Sequence, residues 1–335
     1  MRILFADPVP GPYRQLADEA LAAEGWALLE PASSSDADLG AALARADVLI
    51  SRRRIVPTGS LQSMPALRFW QHVGLKLPPE YLAAAGRLGV PISAIPSFGN
   101  VMVAEQAFSL MIAVARQVVV AHHDVADGTY RQRGLAPELT SETKIAYWWN
   151  DRSGYVPLLG QTLGVVGLGD IGTAMATRAR AFGMRVLYSK RSRLSVDEEH
   201  ALGVKYRALD DLLAEVDFLS LHLPHTAESE HLLDARRLAL MKPTAILVNA
   251  ARGGLVDEAA LIDALQAGRL AGAGLDVFAY EPLPADSPLC RLENVVLSPH
   301  TGSAPARGLR DILRQVVPNI RAALTGGQVE GLIGT

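Results

Sequence analysis

Three ionisable residues, Arg252, Glu281 and His300, follow the glycine run Gly167-Leu168-Gly169-Asp170-Ile171-Gly172 along the chain. Glycines at this spacing are typical of a dinucleotide-binding loop. An arginine can bind a carboxylate through its planar pair of donors, and a histidine can move a proton near neutral pH. A carboxylate bonded to that histidine would stabilise its protonated form. Together these residues predict hydride transfer between a nicotinamide coenzyme and a 2-oxo acid.

The glycine run lies between a predicted strand, Thr162–Gly167, and a predicted helix, Ile171–Phe182. The first glycine would make the tight turn, the second would let a pyrophosphate approach the backbone, and the third would let helix and strand pack closely. The N–H groups at the start of the helix would face the phosphates. The residues expected at the coenzyme here are Gly167, Gly169, Asp170, Ile171 and Gly172. The alternative is a glycine turn that binds no ligand.

The residues after the next predicted strand indicate which coenzyme is bound. An NAD site usually has an acidic residue about 20 positions after the glycine run, where it binds the ribose hydroxyls. Here the strand ends at Ser189, and no acidic residue follows before Asp197. Lys190, Arg191 and Arg193 would attract a 2′-phosphate. With Ser189 they predict a preference for NADP(H), with NAD(H) as a second coenzyme, whereas the alternative is a solvated basic turn.

Each of the three ionisable residues follows a predicted strand. Those strands are, in order, 245–250, 272–277 and 295–298. Ligands of open α/β sheets bind beyond the carboxyl ends of the strands, so we expect Arg252, Glu281 and His300 to converge. Considered one at a time, the arginine is better explained as a surface residue and the histidine as a structural one. Three such residues after three successive strands favour a catalytic set.

Composition excludes several other classes of function. The net charge is −3 and no long basic run is present, which argues against nucleic acid or an anionic membrane as the main partner. The apolar segment Val101–Ala121 contains Glu105, Gln106 and Arg116, so we predict a buried helix and no membrane span. A single cysteine, Cys290, fits a reducing, cytoplasmic location.

We expect no metal. The best candidate ligands, His222 and His225, are three residues apart with no cysteine or acidic cluster close to them in sequence, and they make a poor zinc set.

Short apolar strands alternate with helical segments along nearly the whole chain, which predicts an α/β fold with two Rossmann-like, doubly wound parallel-sheet domains and a cleft between them. We assign residues 1–98 and 303–335 to a flavodoxin-like, substrate-binding domain, and residues 99–302 to a dinucleotide-binding Rossmann domain. The last helix, Ala304–Leu324, should be kinked by Pro318. Tyr130–Gly160 fits neither pattern and is predicted to be a long surface excursion. Its adjacent Trp148 and Trp149 favour a contact with a partner subunit, and the alternative is a solvent-exposed loop.

The chain resembles the D-isomer-specific 2-hydroxyacid dehydrogenase family over nearly all of its length. The resemblance is carried by the glycine run and by three further segments, residues 249–258 (NAARGGLVDE), 275–282 (LDVFAYEP) and 298–302 (SPHTG). It implies that Arg252 binds the substrate carboxylate, that His300 is the acid and base, and that Glu281 is its partner. It also implies that Asp276 contacts the nicotinamide carboxamide. A homodimer is implied as well, with the helix after Gly99 and the excursion at its interface.

One loop departs from the family pattern. By resemblance the loop of Gly74, Leu75 and Lys76 binds the substrate, but Lys76 and the prolines after it are unusual there. The basic residues after Ser189 resemble those of NADP-using glyoxylate/hydroxypyruvate reductases. The substrate is therefore predicted to be a glyoxylate- or hydroxypyruvate-type 2-oxo acid or a larger one. The alternatives are a dehydrogenase of another oxyanion, such as phosphite, and a nucleotide-sensing scaffold like the corepressors related to this family. Those corepressors tend to carry a long tail, whereas this chain ends at Gly331–Thr335.

Overall fold

The computed structural model describes residues 1–9, 11–33, 35–52, 56–57, 59–60, 64–74, 77, 79–143, 149–303 and 305–334. Within these ranges the chain forms two compact units. The first comprises Met1–Val101 and Ser303–Thr335, and the second comprises Met102–Gly302. Each unit is built around one sheet flanked by helices, which confirms the predicted α/β class with two parallel-sheet domains.

The first unit has a six-stranded sheet in which five strands are parallel. Its strands are β1 (Arg2–Phe5), β2 (Ala27–Leu29), β3 (Val48–Ser51), β4 (Phe69–Val73), β5 (Ile92–Ile95) and β13 (Leu332–Gly334), in the order β13-β5-β4-β3-β1-β2. Its helices are α1 (Gly11–Ala22), α2 (Asp36–Leu43), α3 (Pro79–Leu88) and α11 (Pro305–Thr325). Strands β3 and β4 are buried along their whole length because helices cover both faces of the sheet. Helix α11 runs without interruption through Pro318.

Strand β13 was not predicted, and it is the one antiparallel member of the first sheet within the described residues. Gly331, at φ +65°, precedes the strand and lies so close to β5 that a Cβ would be 2.1 Å from the Ala94 carbonyl oxygen. The buried Asn319 of α11 donates to Gln71 Oε1 at 2.7 Å and accepts from the Glu330 N–H at 2.7 Å. The C-terminal segment is therefore tied to the sheet by pairing and by a polar side chain, neither of which shows as sequence periodicity.

The second unit has a seven-stranded sheet that is parallel throughout. Its strands are β6 (Thr162–Val166), β7 (Arg185–Ser189), β8 (Lys205–Tyr206), β9 (Phe218–Leu221), β10 (Ile246–Asn249), β11 (Gly272–Leu275) and β12 (Val295–Leu297), in the order β12-β11-β10-β9-β6-β7-β8. Its helices are α4 (Phe98–Ala115), α5 (Val118–Ala126), α6 (Asp170–Ala181), α7 (Val196–Leu202), α8 (Leu209–Glu215), α9 (Ala235–Leu238) and α10 (Glu258–Gln266). The strand order reverses at β6, which lies between β7 and β9, and such a switch point is where open α/β sheets bind ligands.

The prediction of one helix over Val101–Ala121 was wrong. Helix α4 ends at Ala115 and α5 begins at Val118, because Gln117 has a left-handed backbone with φ +50°. The Gln117 side chain donates to the Ser153 carbonyl at 2.6 Å, a contact across 36 residues that stabilises the break. By length and composition alone α4 could cross a membrane, which is weak evidence, and 44% of it is buried in the folded chain. Its packing on the sheet is that of a core helix.

The segment Tyr130–Gly160 is largely irregular, as predicted, after a 3-10 turn at Thr129–Arg133. Trp148 lies outside the described residues. Trp149 packs edge-on against Tyr130, and Arg133 bonds the Trp149 carbonyl at 3.0 Å. Arg152 pairs with the buried carboxylate of Asp124 on α5, so the segment is anchored to the second unit by an ion pair.

Candidate active site

The glycine run has the backbone geometry of a ligand-binding loop. Gly167 has φ +89°, and a Cβ there would lie 2.4 Å from the His222 carbonyl oxygen. A Cβ on Gly172 would lie 2.2 Å from the Gly167 carbonyl oxygen, so only glycine lets α6 pack on the loop. At Gly169 a Cβ would meet nothing within 4 Å, and no side chain caps the helix there. Asp170 and Ile171 form the first turn of α6 behind this open position. The loop therefore fits a pyrophosphate at the amino end of α6.

Of the residues predicted to select the coenzyme, Ser189, Lys190 and Arg191 follow one another at the end of β7, whereas Arg193 is bonded to another side chain. Ser189 is buried at the end of β7, level with Val166 of β6, and Lys190 and Arg191 follow it towards solvent. Arg193 instead forms two bonds to Glu199, at 2.8 and 3.0 Å. That pairing, opposed by burial, holds the pKa of Glu199 below its usual range. Of the three basic residues, Arg193 is therefore paired with Glu199, whereas the described contacts include no such partner for Lys190 or Arg191. These two are the candidates for binding a phosphate.

Glu228, on the loop after β9, was not considered from the sequence. Its pKa is lowered mainly by a hydrogen bond from Thr226 Oγ1, at 2.7 Å, and weakly by the positive charge of Arg191. The Arg191 side chain therefore acts electrostatically on the carboxylate of Glu228. The loops after β7 and β9 flank the glycine loop, since Val166 pairs with both Ser189 and Leu221.

Arg252 is held at the end of β10 by the side chain of Asn249. That buried amide donates to the Arg252 carbonyl at 2.9 Å and accepts from the Ala251 N–H at 3.1 Å. The next residue, Gly253, lies so close to the loop after β11 that a Cβ would be 1.9 Å from the Phe278 carbonyl oxygen. These contacts fix the backbone of Arg252. Its side chain is exposed, so the guanidinium is accessible.

Glu281 and His300 form a direct pair. The Glu281 Oε2 atom lies 2.6 Å from His300 Nδ1, while Oε1 accepts from the Phe278 N–H at 3.1 Å. Burial opposes ionisation of Glu281, but the bonds from His300 and Phe278 and the charges of His300 and Arg252 together lower its pKa. The loops that carry Arg252 and Glu281 lie against each other, because a Cβ on Gly253 would be 1.9 Å from the Phe278 carbonyl oxygen. With the contact between Glu281 and His300, the three predicted residues therefore lie on adjoining loops. Because Nδ1 is used by the carboxylate, Nε2 is the nitrogen available to a substrate.

Asp276 lies beneath this pair and is almost completely buried. Its Oδ1 accepts from Ser298 Oγ at 2.5 Å and from the Thr301 N–H at 3.0 Å, and its Oδ2 accepts from the Gly302 N–H at 2.8 Å. Gln106 of α4 donates to Ser298 Oγ at 2.8 Å. Asp276 therefore holds the turn that carries His300. Sequence reasoning did not identify Gln106 or Ser298, which are 192 residues apart.

A cavity of about 580 Å³ adjoins the Glu281–His300 pair. Its lining residues are Phe278, Glu281, Pro282, Leu283, Leu297, Ser298, Pro299 and His300. Apart from the pair and Ser298, these side chains are apolar. Another cavity in this unit lies at the opposite, amino end of β10–β12, near Gln117 and Arg152, away from all the predicted site residues.

The other predicted residues lie elsewhere. Gly74 is buried just after β4 in the first unit and donates to the Ile95 carbonyl at 2.8 Å, whereas Leu75 and Lys76 lie outside the described residues. His222 bonds Ser220 Oγ at 2.8 Å, and burial lowers its pKa to about 4, so it is neutral at physiological pH. His225 contacts Glu230. In the described part of the chain no three His, Cys, Asp or Glu side chains form a group that could hold a metal ion.

Comparison with known proteins agrees with this geometry. Residues 108–302 match the model of the D-isomer specific 2-hydroxyacid dehydrogenase NAD binding domain. The chain is 43% identical over 265 residues to a glyoxylate reductase from Korarchaeum cryptofilum, covering 79% of this chain and 75% of that protein.

Solved structures are similar over nearly the whole length of the chain. A glyoxylate reductase from Paecilomyes thermophila is 27% identical, with a TM-score of 0.58 and coverage of 99% and 98% of the two chains. An NADPH-dependent glyoxylate/hydroxypyruvate reductase from Sinorhizobium meliloti, solved with NADP and malonate, is 27% identical with a TM-score of 0.56 and coverage of 99% and 96%. The chain is therefore a member of the D-isomer specific 2-hydroxyacid dehydrogenase family and an oxidoreductase of 2-oxo and 2-hydroxy acids.

Proposed function

We propose that this enzyme reduces a 2-oxo acid to the D-2-hydroxy acid with NADP(H) in preference to NAD(H). The observation that carries the proposal is the 2.6 Å contact between Glu281 and His300 Nδ1, beside the loop that carries Arg252. A nicotinamide coenzyme on the glycine loop would supply the hydride, and the protein would orient and protonate the substrate.

Each polar residue has a proposed role. Arg252 binds the substrate carboxylate through its guanidinium and orients the carbonyl group. His300 donates a proton from Nε2 to the carbonyl oxygen as negative charge develops there, and it accepts that proton in the reverse reaction. Glu281 stabilises the imidazolium form of His300 and fixes which nitrogen faces the substrate. We also propose that the backbone amides of Leu75 and Lys76 bind the substrate carboxylate, and that Asp276 accepts from the nicotinamide carboxamide. The Gly74 N–H, which was predicted to take part, already donates to the Ile95 carbonyl at 2.8 Å and is left out of this role.

The preference for NADP(H) is proposed from Lys190 and Arg191, which follow β7 with no acid at the ribose position. The test compares kcat/KM for NADPH and NADH in the native protein and in Lys190→Ala and Arg191→Ala. Each substitution should reduce kcat/KM for NADPH by roughly tenfold and leave NADH nearly unchanged, because only NADPH has the 2′-phosphate. The matched control is Arg193→Ala, since Arg193 is paired with Glu199 and should affect stability more than selectivity. Equal losses with both coenzymes would contradict the proposal.

The substrate is proposed to be a glyoxylate- or hydroxypyruvate-type acid or a larger 2-oxo acid. The relatives named above favour the small acids, whereas the apolar cavity beside His300 has more room than glyoxylate needs. The test is NADPH oxidation with glyoxylate, hydroxypyruvate, phenylpyruvate and 2-oxoglutarate, and NADP⁺ reduction with phosphite because Lys76 lies in the predicted substrate loop. No turnover of any 2-oxo acid would overturn the proposal.

We further propose a cytoplasmic homodimer. Helix α5 exposes Val118, Val119 and Val125, and Leu139 of the following segment is 94% exposed. Val118 and Val125 are seven residues apart and so share one face of α5, and exposed apolar side chains on one helix face are typical of protein interfaces. Val125→Lys should shift the mass measured by light scattering from dimer to monomer, whereas Val196→Lys, on the exposed surface of α7, should not. A monomeric native protein would contradict this proposal.

A further inference from the structure

The turn that carries His300 is fixed from below by a chain of buried hydrogen bonds that reaches α4. His300 itself has a left-handed backbone with φ +52°, which a non-glycine residue adopts only when its surroundings hold it there. The turn supplies four donors to Asp276, namely Ser298 Oγ, the Thr301 N–H, the Gly302 N–H and, at 3.5 Å, Thr301 Oγ1. The conformation of His300 is thus set by a carboxylate that does not touch its imidazole in any described contact.

Helix α4 is fixed against β11 by two glycines. A Cβ on Gly272 would lie 2.7 Å from Val114, and a Cβ on Gly274 would lie 2.9 Å from Leu110, so the helix lies directly on the strand. Gln106, Leu110 and Val114 are spaced four residues apart and share one face of α4. Gly272 and Gly274 share one face of β11, and Asp276, which follows the strand and still pairs with Asn249 of β10, continues that face. The alignment that places Val114 over Gly272 and Leu110 over Gly274 therefore places Gln106 at Asp276.

The direction of the hydrogen bonds follows from the groups involved. The Gln106 Nε2 atom can only donate, so Ser298 Oγ accepts from it at 2.8 Å. The single hydroxyl proton of Ser298 is then directed at Asp276 Oδ1, 2.5 Å away. A Cβ on Gly302 would lie 2.9 Å from Asp276 Oδ2 and 3.7 Å from the Gln106 Cβ, so the turn closes directly on this chain of groups.

We propose that Gln106 and Ser298 are positioning residues for His300, acting through the Asp276 carboxylate. They hold the Ser298–Gly302 turn so that the imidazole keeps Nδ1 on Glu281 and presents Nε2 to the substrate. Side chains that move protons work efficiently only when neighbouring packing and hydrogen bonds restrict their orientation. The proposal rests on the acid and base role of His300 proposed above.

The test compares Ser298→Ala, Ser298→Thr and Gln106→Met with the native protein. Ser298→Ala and Gln106→Met should lower kcat by roughly tenfold with little change in KM, because a small displacement of the acid slows proton transfer more than binding. Ser298→Thr keeps the hydroxyl and should restore most of kcat. Ser109→Ala, on the exposed side of α4, is the control and should leave kcat unchanged. The affinity for NADPH, from fluorescence titration, should change less than twofold.

Other outcomes would overturn the proposal in distinguishable ways. A lower melting temperature with unchanged kcat per folded molecule would show that the chain of bonds is only structural. A loss of NADPH affinity with unchanged kcat would show that it serves the coenzyme. If the native protein turns over 2-oxo acids and His300→Ala abolishes that turnover, but Ser298→Ala and Gln106→Met are as active as native, the positioning role alone fails. If the native protein turns over no 2-oxo acid, the proposed function fails first.

Discussion

Two glutamates on loops of the second unit, Glu281 and Glu230, contact histidines, and the two sites differ in what holds them. His300 contacts Glu281 through Nδ1, whereas His225 contacts Glu230 through Nε2. Glu281 also accepts from the Phe278 N–H, and the turn under His300 is held by Asp276. Glu230 instead shares its carboxylate with His231, at 3.4 Å, on an exposed loop. A contact between histidine and carboxylate is therefore not a site by itself, and the surrounding backbone distinguishes the two.

The most direct way to break this comparison is to remove each histidine. His300→Ala should lower kcat by roughly 10²- to 10⁴-fold, the usual range for a positioned acid. His225→Ala should stay within roughly twofold of native, since its pair has no proposed part in catalysis and exposed substitutions have small effects. Steady-state NADPH oxidation measures both. Near-full activity of His300→Ala, or a comparable loss in His225→Ala, would end the assignment.

Replacing the glutamates sharpens the comparison. Glu281→Gln keeps the shape of the side chain but removes the charge that stabilises protonated His300, so kcat should fall by roughly 10- to 100-fold. Glu230→Gln removes one charge from the exposed loop and should leave kcat within roughly twofold. If the two variants lose activity equally, the loss comes from removing a negative charge from the protein and not from breaking the contact with His300.

The same contrast explains which parts of the site the sequence predicted. The glycine loop and the strands that carry Arg252, Glu281 and His300 have local signals, namely glycine spacing and short apolar runs that end in polar residues. The family and the fold class were confirmed. The link from Gln106 to Ser298 spans 192 residues and depends on which helix lies on which strand, which one sequence does not show.

Two failures in the fold have the same origin. The break between α4 and α5 depends on a bond from Gln117 to a carbonyl 36 residues away, and nothing in the apolar sequence around it indicates a stop. Strand β13 depends on pairing with β5 and on Asn319. In each case a tertiary partner decides the outcome.

Two glycines test how rigidly each pair is held. A Cβ on Gly302 would lie 2.9 Å from the buried Asp276 Oδ2, while a Cβ on Gly254 would lie 2.6 Å from His225 Nε2. Asp276 cannot move without breaking the turn, so Gly302→Ala should lower the free energy of unfolding by about 1–3 kcal/mol. The exposed His225 side chain can rotate away, so Gly254→Ala should change the free energy of unfolding by less than about 0.5 kcal/mol. Urea denaturation measures both, and equal effects would show that the two turns are equally rigid.

The smallest expected effect is the pH dependence of stability that comes from Glu281. Its pKa in the folded protein is lowered, against burial, by bonds from His300 and Phe278 and by the charges of His300 and Arg252. A lowered folded pKa means that the ionised group contributes stability above its unfolded pKa of about 4.3, and that this contribution is lost as the pH falls through the folded value. Glu281→Gln should therefore have a lower urea midpoint than native at pH 7, and the difference should shrink below about pH 4. Glu230→Gln controls for the loss of one negative charge. A difference that stays constant from pH 7 to pH 3 would mean that the ionised carboxylate of Glu281 is not what the fold stabilises, and that its contact with His300 is as incidental as that between His225 and Glu230.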